Sequence, residues 1–181
     1  ALKAELGGIV AQPISQVGTI TQIIPAVAAT DTAQGEAPAS VEQFMDALGA
    51  NPPADLFRAV CDKVFFGIHM ADAPAPVFIL TVTSYDRAFA DMLAWEPSID
   101  ADLSPLFKQV PAVEASASSS LPVERQFQDM VMQNYDVRAL KDDTGSIVLY
   151  YSFPTPSLLI IAGSPYTFTE VLSRLQAERK L

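Results

Sequence analysis

The sequence predicts an α+β fold in which amphipathic helices pack on an antiparallel sheet. Apolar runs rich in β-branched residues alternate with short turns containing Pro, Gly or Asp, which is typical of strands. Other segments begin with a Ser cap and continue with apolar residues at helical spacing. The connections between successive strands are short, which favours antiparallel pairing. With 181 residues and 50% apolar composition, the chain can bury a sizeable core.

Two regions are predicted, an extended N-terminal segment over residues 1–39 and an α+β domain over residues 40–181. In the first region, residues 14–17 and 19–24 are predicted to be β-like, and residues 28–39 a linker. Residues 6–30 carry no charge, so this segment is suited to strand addition to another chain, which would produce a homo-oligomer. In the second region, residues 109–124 are predicted to be a flexible loop rich in Ser and Pro.

The first half of the domain is predicted to form two helices, two strands and a third helix. Ser40 and Gln43 have the spacing of a capping box, and Gly49 suits the end of that helix. A short helix-like stretch covers 55–62, and strands cover 64–70 and 77–83, with a turn at 71–76. The third helix follows Ser84 and ends before Pro97; its predicted buried face consists of Tyr85, Phe89, Met92 and Leu93.

The second half is predicted to contain a short helix, a hairpin, a buried strand and a last helix. A short helix covers 98–107, and 127–132 is either a helix or a strand. Strands at 137–141 and 146–153 form a hairpin around 142–145, and a buried strand follows at 158–162. Ser164 and Pro165 begin the last helix, whose apolar stripe is Phe168, Val171, Leu172 and Leu175. Residues 64–93 and 146–175 share one pattern of two strands followed by a helix. This pattern indicates either a duplicated ββα-like unit or a common way to build an α+β layer.

The charge balance excludes some partners. There are 21 acidic and 11 basic residues, giving a net charge of -10. Such a surface repels nucleic acid and anionic lipid, so neither is predicted as a partner. The glycines show no phosphate-binding spacing, so no cofactor is predicted.

Single Cys and His residues restrict the chemistry further. Cys61 is the only cysteine, which precludes an intramolecular disulfide, and it is predicted to be a small buried apolar residue. His69 is the only histidine and is predicted to lie in the core or on a strand face. The two residues lack close metal-ligand spacing, so no zinc site is predicted.

Two groups of carboxylates are candidates for catalysis. Asp143 begins the sequence DTGS, which matches an aspartic-protease signature but is also an ordinary hairpin turn. The turn is favoured because the second copy of the motif is missing. Glu96, Asp100 and Asp102 form an acidic stretch; Asp100 and Asp102 are weak candidates for a metal site, and a solvated helix face is the favoured interpretation.

Four segments carry a resemblance to a known group of proteins. They are 88–96 (AFADMLAWE), 137–153 (VRALKDDTGSIVLYYSF), 158–162 (LLIIA) and 167–175 (TFTEVLSRL). Together they resemble an uncharacterised group of membrane-anchored extracytoplasmic domain proteins from ultra-small candidate-phylum bacteria, over roughly residues 40–181. The resemblance implies a domain displayed outside the membrane, on the cell surface or envelope, held by an anchor that this chain lacks. It transfers no activity and no functional residues.

We therefore expect a non-catalytic extracytoplasmic module, with a binding or structural role, that acts through surface contacts with a protein or glycan. The alternative is an acid–base hydrolase that uses Asp143 or the carboxylates of Glu96, Asp100 and Asp102. The chain begins with Ala1 rather than Met, so we expect a processed form or a fragment.

Overall fold

A computed structural model describes residues 8, 16–27, 37–104, 106–107 and 126–178 of the chain. Its main feature is a seven-stranded antiparallel sheet in the order β1-β4-β5-β9-β8-β7-β6, and β2 and β3 form a separate pair. The strands are β1 (Ile20–Ile23), β2 (Ala26–Val27), β3 (Ala37–Pro38), β4 (Val60–Met70), β5 (Pro74–Val82), β6 (Gln128–Met132), β7 (Tyr135–Lys141), β8 (Ile147–Thr155) and β9 (Leu158–Ala162). The helices are α1 (Val41–Leu48), α2 (Leu56–Ala59), α3 (Tyr85–Trp95), α4 (Ile99–Asp102) and α5 (Pro165–Glu178).

The α+β class and the antiparallel sheet predicted from the sequence are confirmed. Helices cover both faces of the sheet. Since alternate residues of a strand point to opposite faces, each central strand contributes side chains to two cores. On β9, Leu159 and Ile161 belong to a core with α1, α3 and α4, which we call the first face. Ile160 and Ala162 belong to a core with α5, which we call the second face. The central strands are therefore apolar on both sides.

The N-terminal segment contributes a strand to this sheet. β1 pairs with β4 of the same chain, with Ile20 opposite His69 and Ile23 opposite Phe66. In the part of the chain that the structure describes, no helix is both long and apolar enough to cross a membrane.

Both ends of α1 agree with the prediction from the sequence. The Ser40 hydroxyl accepts a hydrogen bond from the N–H of Gln43, whose side chain accepts one from the N–H of Ser40. Gly49 ends the helix with a φ of 68°, a left-handed conformation that costs little without a Cβ.

The structure corrects several predicted boundaries. The helix-like stretch over 55–62 ends at Ala59, and Cys61 lies half-buried on β4 rather than inside a helix. Pro74 and Pro76, predicted in a turn, are the first residues of β5. Pairing of β5 with β9 begins only at Val77, so the missing N–H groups of both prolines leave that ladder intact. Helix α4 is limited to Ile99–Asp102 within the predicted 98–107, and the predicted loop 109–124 lies outside the described residues.

The buried face of α3 also differs from the prediction. Met92 is buried as predicted, but Ala88 and Trp95 are buried with it, whereas Tyr85 is 41% exposed and Leu93 39% exposed. Both sets follow helical spacing, and contact with the sheet decides which set is covered. The alternative left open for residues 127–132 is resolved as strand β6, which a two-residue turn joins to β7.

Both ββα-like units are present, as β4-β5-α3 and β8-β9-α5. Their second strands, β5 and β9, pair with each other at the centre of the sheet. However, α3 packs on the first face and α5 on the second. A two-fold rotation perpendicular to the sheet would keep both helices on one face, so this rotation does not relate the two units.

Candidate functional site

A groove lies on the first face of the sheet, between the start of α3 and strands β6, β7 and β8. Its volume is about 580 Å³, and it is lined on one side by aromatic rings and on the other by polar side chains. We call it the α3–β6 groove. It forms because α3 covers the central strands but leaves the outer strands β6 and β7 partly open.

The aromatic side consists of three rings in mutual contact. The Tyr85 and Phe89 ring centroids are 5.9 Å apart, and Phe153 contacts Tyr85 edge-on at 5.3 Å. Phe89 and Phe153 are 5.9 Å apart. Such contacts are favourable and fix the rings in place. Because the outer ring, Tyr85, is 41% exposed, the cluster presents a rigid apolar platform to the groove.

Arg138 on β7 lines the groove and forms an ion pair with Glu96, which follows the last residue of α3. The Arg138 Nε donates to Glu96 Oε1 at 2.7 Å, and its Nη2 donates to Oε2 at 2.6 Å. This two-point geometry is the strong form of a guanidinium–carboxylate contact. The Tyr151 hydroxyl also donates to Glu96 Oε1 at 2.7 Å. Glu96 thus accepts three hydrogen bonds and holds the Arg138 guanidinium in one orientation.

These contacts shift the ionisation of both partners of Glu96. Hydrogen bonding to Glu96, the largest effect, raises the pKa of Arg138. Burial, followed by the hydrogen bond to Glu96, raises the pKa of Tyr151. Arg138 therefore stays charged and Tyr151 stays protonated as a donor at any physiological pH.

The rim of the groove is acidic. Asp129 on β6 contacts Arg138 Nη1 at 3.0 Å, but its side chain is 89% exposed, so the pair is weak. Asp136 on β7 is also exposed. Since Glu96 already balances the charge of Arg138, Asp129 and Asp136 leave the groove with a net negative charge. This favours neutral or cationic ligands over anionic ones.

Strand β6 forms the outer border of the groove and the end of the sheet among the described residues. Gln133 and Asn134 join it to β7 with φ values of 53° and 65°, as in a type I′ turn. The pair that closes such a turn, here Met132 with Tyr135, is hydrogen-bonded, and hydrogen-bonded and open pairs alternate along the strands. The N–H and C=O groups of Asp129 and Val131 therefore point away from β7.

The candidate carboxylates from the sequence are not gathered into one site. Asp143 is exposed in the turn between β7 and β8, where the neighbouring Asp142 is the centre of the hydrogen bonds. Asp142 Oδ1 accepts from the N–H of Thr144 at 2.9 Å and from that of Ser146 at 3.0 Å. The DTGS sequence thus forms a surface hairpin turn.

The acidic stretch divides among separate contacts. Glu96 binds Arg138, which lines the groove. Asp102 Oδ2 accepts from the Trp95 indole at 2.7 Å and from the Ser98 hydroxyl at 3.1 Å. Asp100 Oδ1 accepts from the N–H of Ala101 at 2.8 Å. Among the residues that the structure describes, no three His, Cys, Asp or Glu side chains are grouped so as to hold a metal ion.

The single histidine lies away from the groove, between β4 and α5. His69 is 4% exposed, as the core interpretation expects, and its Nδ1 lies 3.0 Å from the hydroxyl of the buried Thr167. Burial lowers the pKa of His69, an effect that Glu170 partly opposes.

Sequence reasoning did not identify Arg138, Asp129 and Asp136 as a site. The available signal was the alternation of charged and apolar residues on β7, in which Asp136 and Arg138 share one face while Val137 and Ala139 are buried on the other. Searches against family models, curated proteins and solved structures found no match to this chain.

Proposed function

We propose that this protein is a non-catalytic binding module of the cell envelope that acts through surface contacts and binds its partner in the α3–β6 groove. The observation that carries the proposal is the composition of the groove. A rigid aromatic platform faces a fixed guanidinium and exposed carboxylates across about 580 Å³. An apolar wall with a few oriented polar groups is the usual form of a binding site.

The placement of the carboxylates supports a binding role over a hydrolytic one. Acid–base hydrolysis needs two carboxyl groups that face one reacting bond. Glu96 instead faces Arg138 and Tyr151, while Asp102 faces Trp95. Asp143 lies in an exposed turn. The extracytoplasmic setting rests on the family resemblance of the sequence, and the acidic composition is compatible with it.

The test is a binding screen of the full chain against peptide and glycan arrays. Tyr85→Ala is expected to weaken any specific ligand by about ten-fold, since exposed aromatic residues at the centre of a contact carry much of its energy. Tyr166→Ala is the matched control, because Tyr166 is 63% exposed but does not line this groove. Ligands that respond equally to both variants, or to neither, would contradict the proposal.

A further inference from the structure

We propose that the partner is an extended basic peptide segment that adds to the outer side of β6 as a further strand and places its side chains in the α3–β6 groove. This rests on the proposed function and names the class of ligand. Two features of β6 converge on it: backbone groups that face outward, and a groove that begins at the same strand.

The backbone provides the first feature. The N–H and C=O groups of Asp129 and Val131 point away from β7, and no described strand lies on that side. Natural edge strands are protected by proline, by charged side chains (most often lysine) or by a bulge, and the one charged residue of β6 is the acidic Asp129. The β6 sequence QDMVM contains neither proline nor lysine, and its register with β7 runs without a bulge. Among the residues that the structure describes, nothing pairs with this edge, so it offers a place for strand addition.

The side chains provide the second feature. In an antiparallel pair, residues directly opposite each other place their side chains on the same face. Residues of an added strand opposite Asp129 and Val131 would therefore point towards the groove, because both of these residues line it. The two side chains would be separated by one residue along the peptide.

Charge and polarity then specify these two side chains. The carboxylate of Asp129, with its side chain 89% exposed, favours a basic residue opposite it. Asp136, which pairs with Val131, adds a second carboxylate nearby. Val131 is 65% exposed and offers an apolar surface to the next position of the peptide. The expected pattern is a basic residue and an apolar residue two positions apart.

The experiment uses the full chain and a blocked seven-residue peptide in which threonine alternates with arginine and valine. Fluorescence anisotropy measures affinity, and amide hydrogen exchange of β6 reports strand pairing. Asp129→Asn and Asp136→Asn are each expected to weaken binding about two- to five-fold, as for exposed ion pairs. A peptide with glutamate in place of arginine should bind still more weakly.

Two further arms test the backbone. Val131→Pro removes one outward N–H without breaking the ladder to β7, and it should weaken binding about five-fold or more. Val131→Ala keeps this N–H but shortens the apolar side chain, so the loss of affinity in Val131→Pro beyond that in Val131→Ala measures the contribution of the N–H. N-methylation of alternate peptide residues should also weaken binding, because it removes backbone N–H groups from the peptide. This arm leaves the protein unchanged, so it remains informative if the proline variant does not fold.

Equal binding of the methylated and unmethylated peptides, or of the basic and acidic peptides, would overturn the inference. Absence of peptide binding would also overturn it. If a neutral oligosaccharide then binds and Tyr85→Ala weakens it, the proposed function stands and only the ligand class is wrong. If neither ligand class binds, both proposals fail.

Discussion

Replacing Glu96 with Gln tests whether its ion pair with Arg138 stabilises the fold. Glutamine keeps the size of the side chain but removes the charge that faces Arg138. It also cannot accept both guanidinium hydrogen bonds in the same way. Among the described residues, Arg138 would then retain Asp129, an exposed partner, as its paired counter-charge.

The magnitude follows from the partial burial of the pair. The Glu96 and Arg138 side chains are 15% and 22% exposed. Exposed pairs contribute at most about 1 kcal/mol, whereas breaking a fully buried pair costs about 3–5 kcal/mol. We therefore expect Glu96→Gln to lower the free energy of unfolding by about 2 kcal/mol. For a chain of this size, that corresponds to a decrease in Tm of about 4–8 °C.

Urea denaturation of the full chain measures the effect, with an unchanged m-value as the sign that the same structure unfolds. Glu170→Gln is the matched control, because Glu170 pairs with Arg174 at 2.7 Å within one helix and both side chains are more exposed. We expect this control to cost no more than about 0.5 kcal/mol. Equal losses for the two variants would refute the reasoning.

Two further predictions concern single polar residues. Burial lowers the pKa of His69 in the folded protein, so the free energy of unfolding should be highest above the ordinary histidine pKa of 6.5 and should decrease as the pH falls below it. Unfolding curves between about pH 7.5 and 5.5 should show a smaller decrease for His69→Gln than for the unchanged protein. The same pH dependence in both proteins would contradict burial of His69 as the cause. Asp142→Ala should lower the free energy of unfolding by about 1 kcal/mol through loss of the acceptor for Thr144 and Ser146, whereas Asp142→Asn, which keeps an acceptor oxygen, should lower it less in the same assay. Equal losses for the two variants would contradict the assignment of these hydrogen bonds as the cause.

Elements defined by neighbours in the sequence could be predicted well. One example is the capping box of Ser40 and Gln43, and another is the turn from Asp142 to Gly145. Each depends on residues that are close along the chain. The apolar runs of β5, β8 and β9 likewise showed which segments would become strands. For these elements, local propensity and the final packing favour the same conformation.

The position of Arg138 in the groove shows why the site was not predictable. The hairpin around 142–145 brings β7 and β8 together, but Lys141 pairs with Ile147 whereas Leu140 pairs with Leu149. Without this irregularity, Arg138 would lie opposite Tyr150, whose side chain belongs to the second face. The one-residue shift places Arg138 opposite Tyr151 on the first face. No local pattern indicates this shift.

The sequence by itself determined the fold class, the acidic surface and the positions of most strands and helix caps, since these depend on composition and on interactions over a few residues. The tertiary structure decided that Ala88 and Trp95, and not Tyr85 and Leu93, face the core together with Met92. It also brought Glu96 into contact with Arg138 and Tyr151, which lie 42 and 55 residues further along the chain. The physical reason is that periodicity defines which residues share a face, whereas only packing against the rest of the molecule selects the face that is buried.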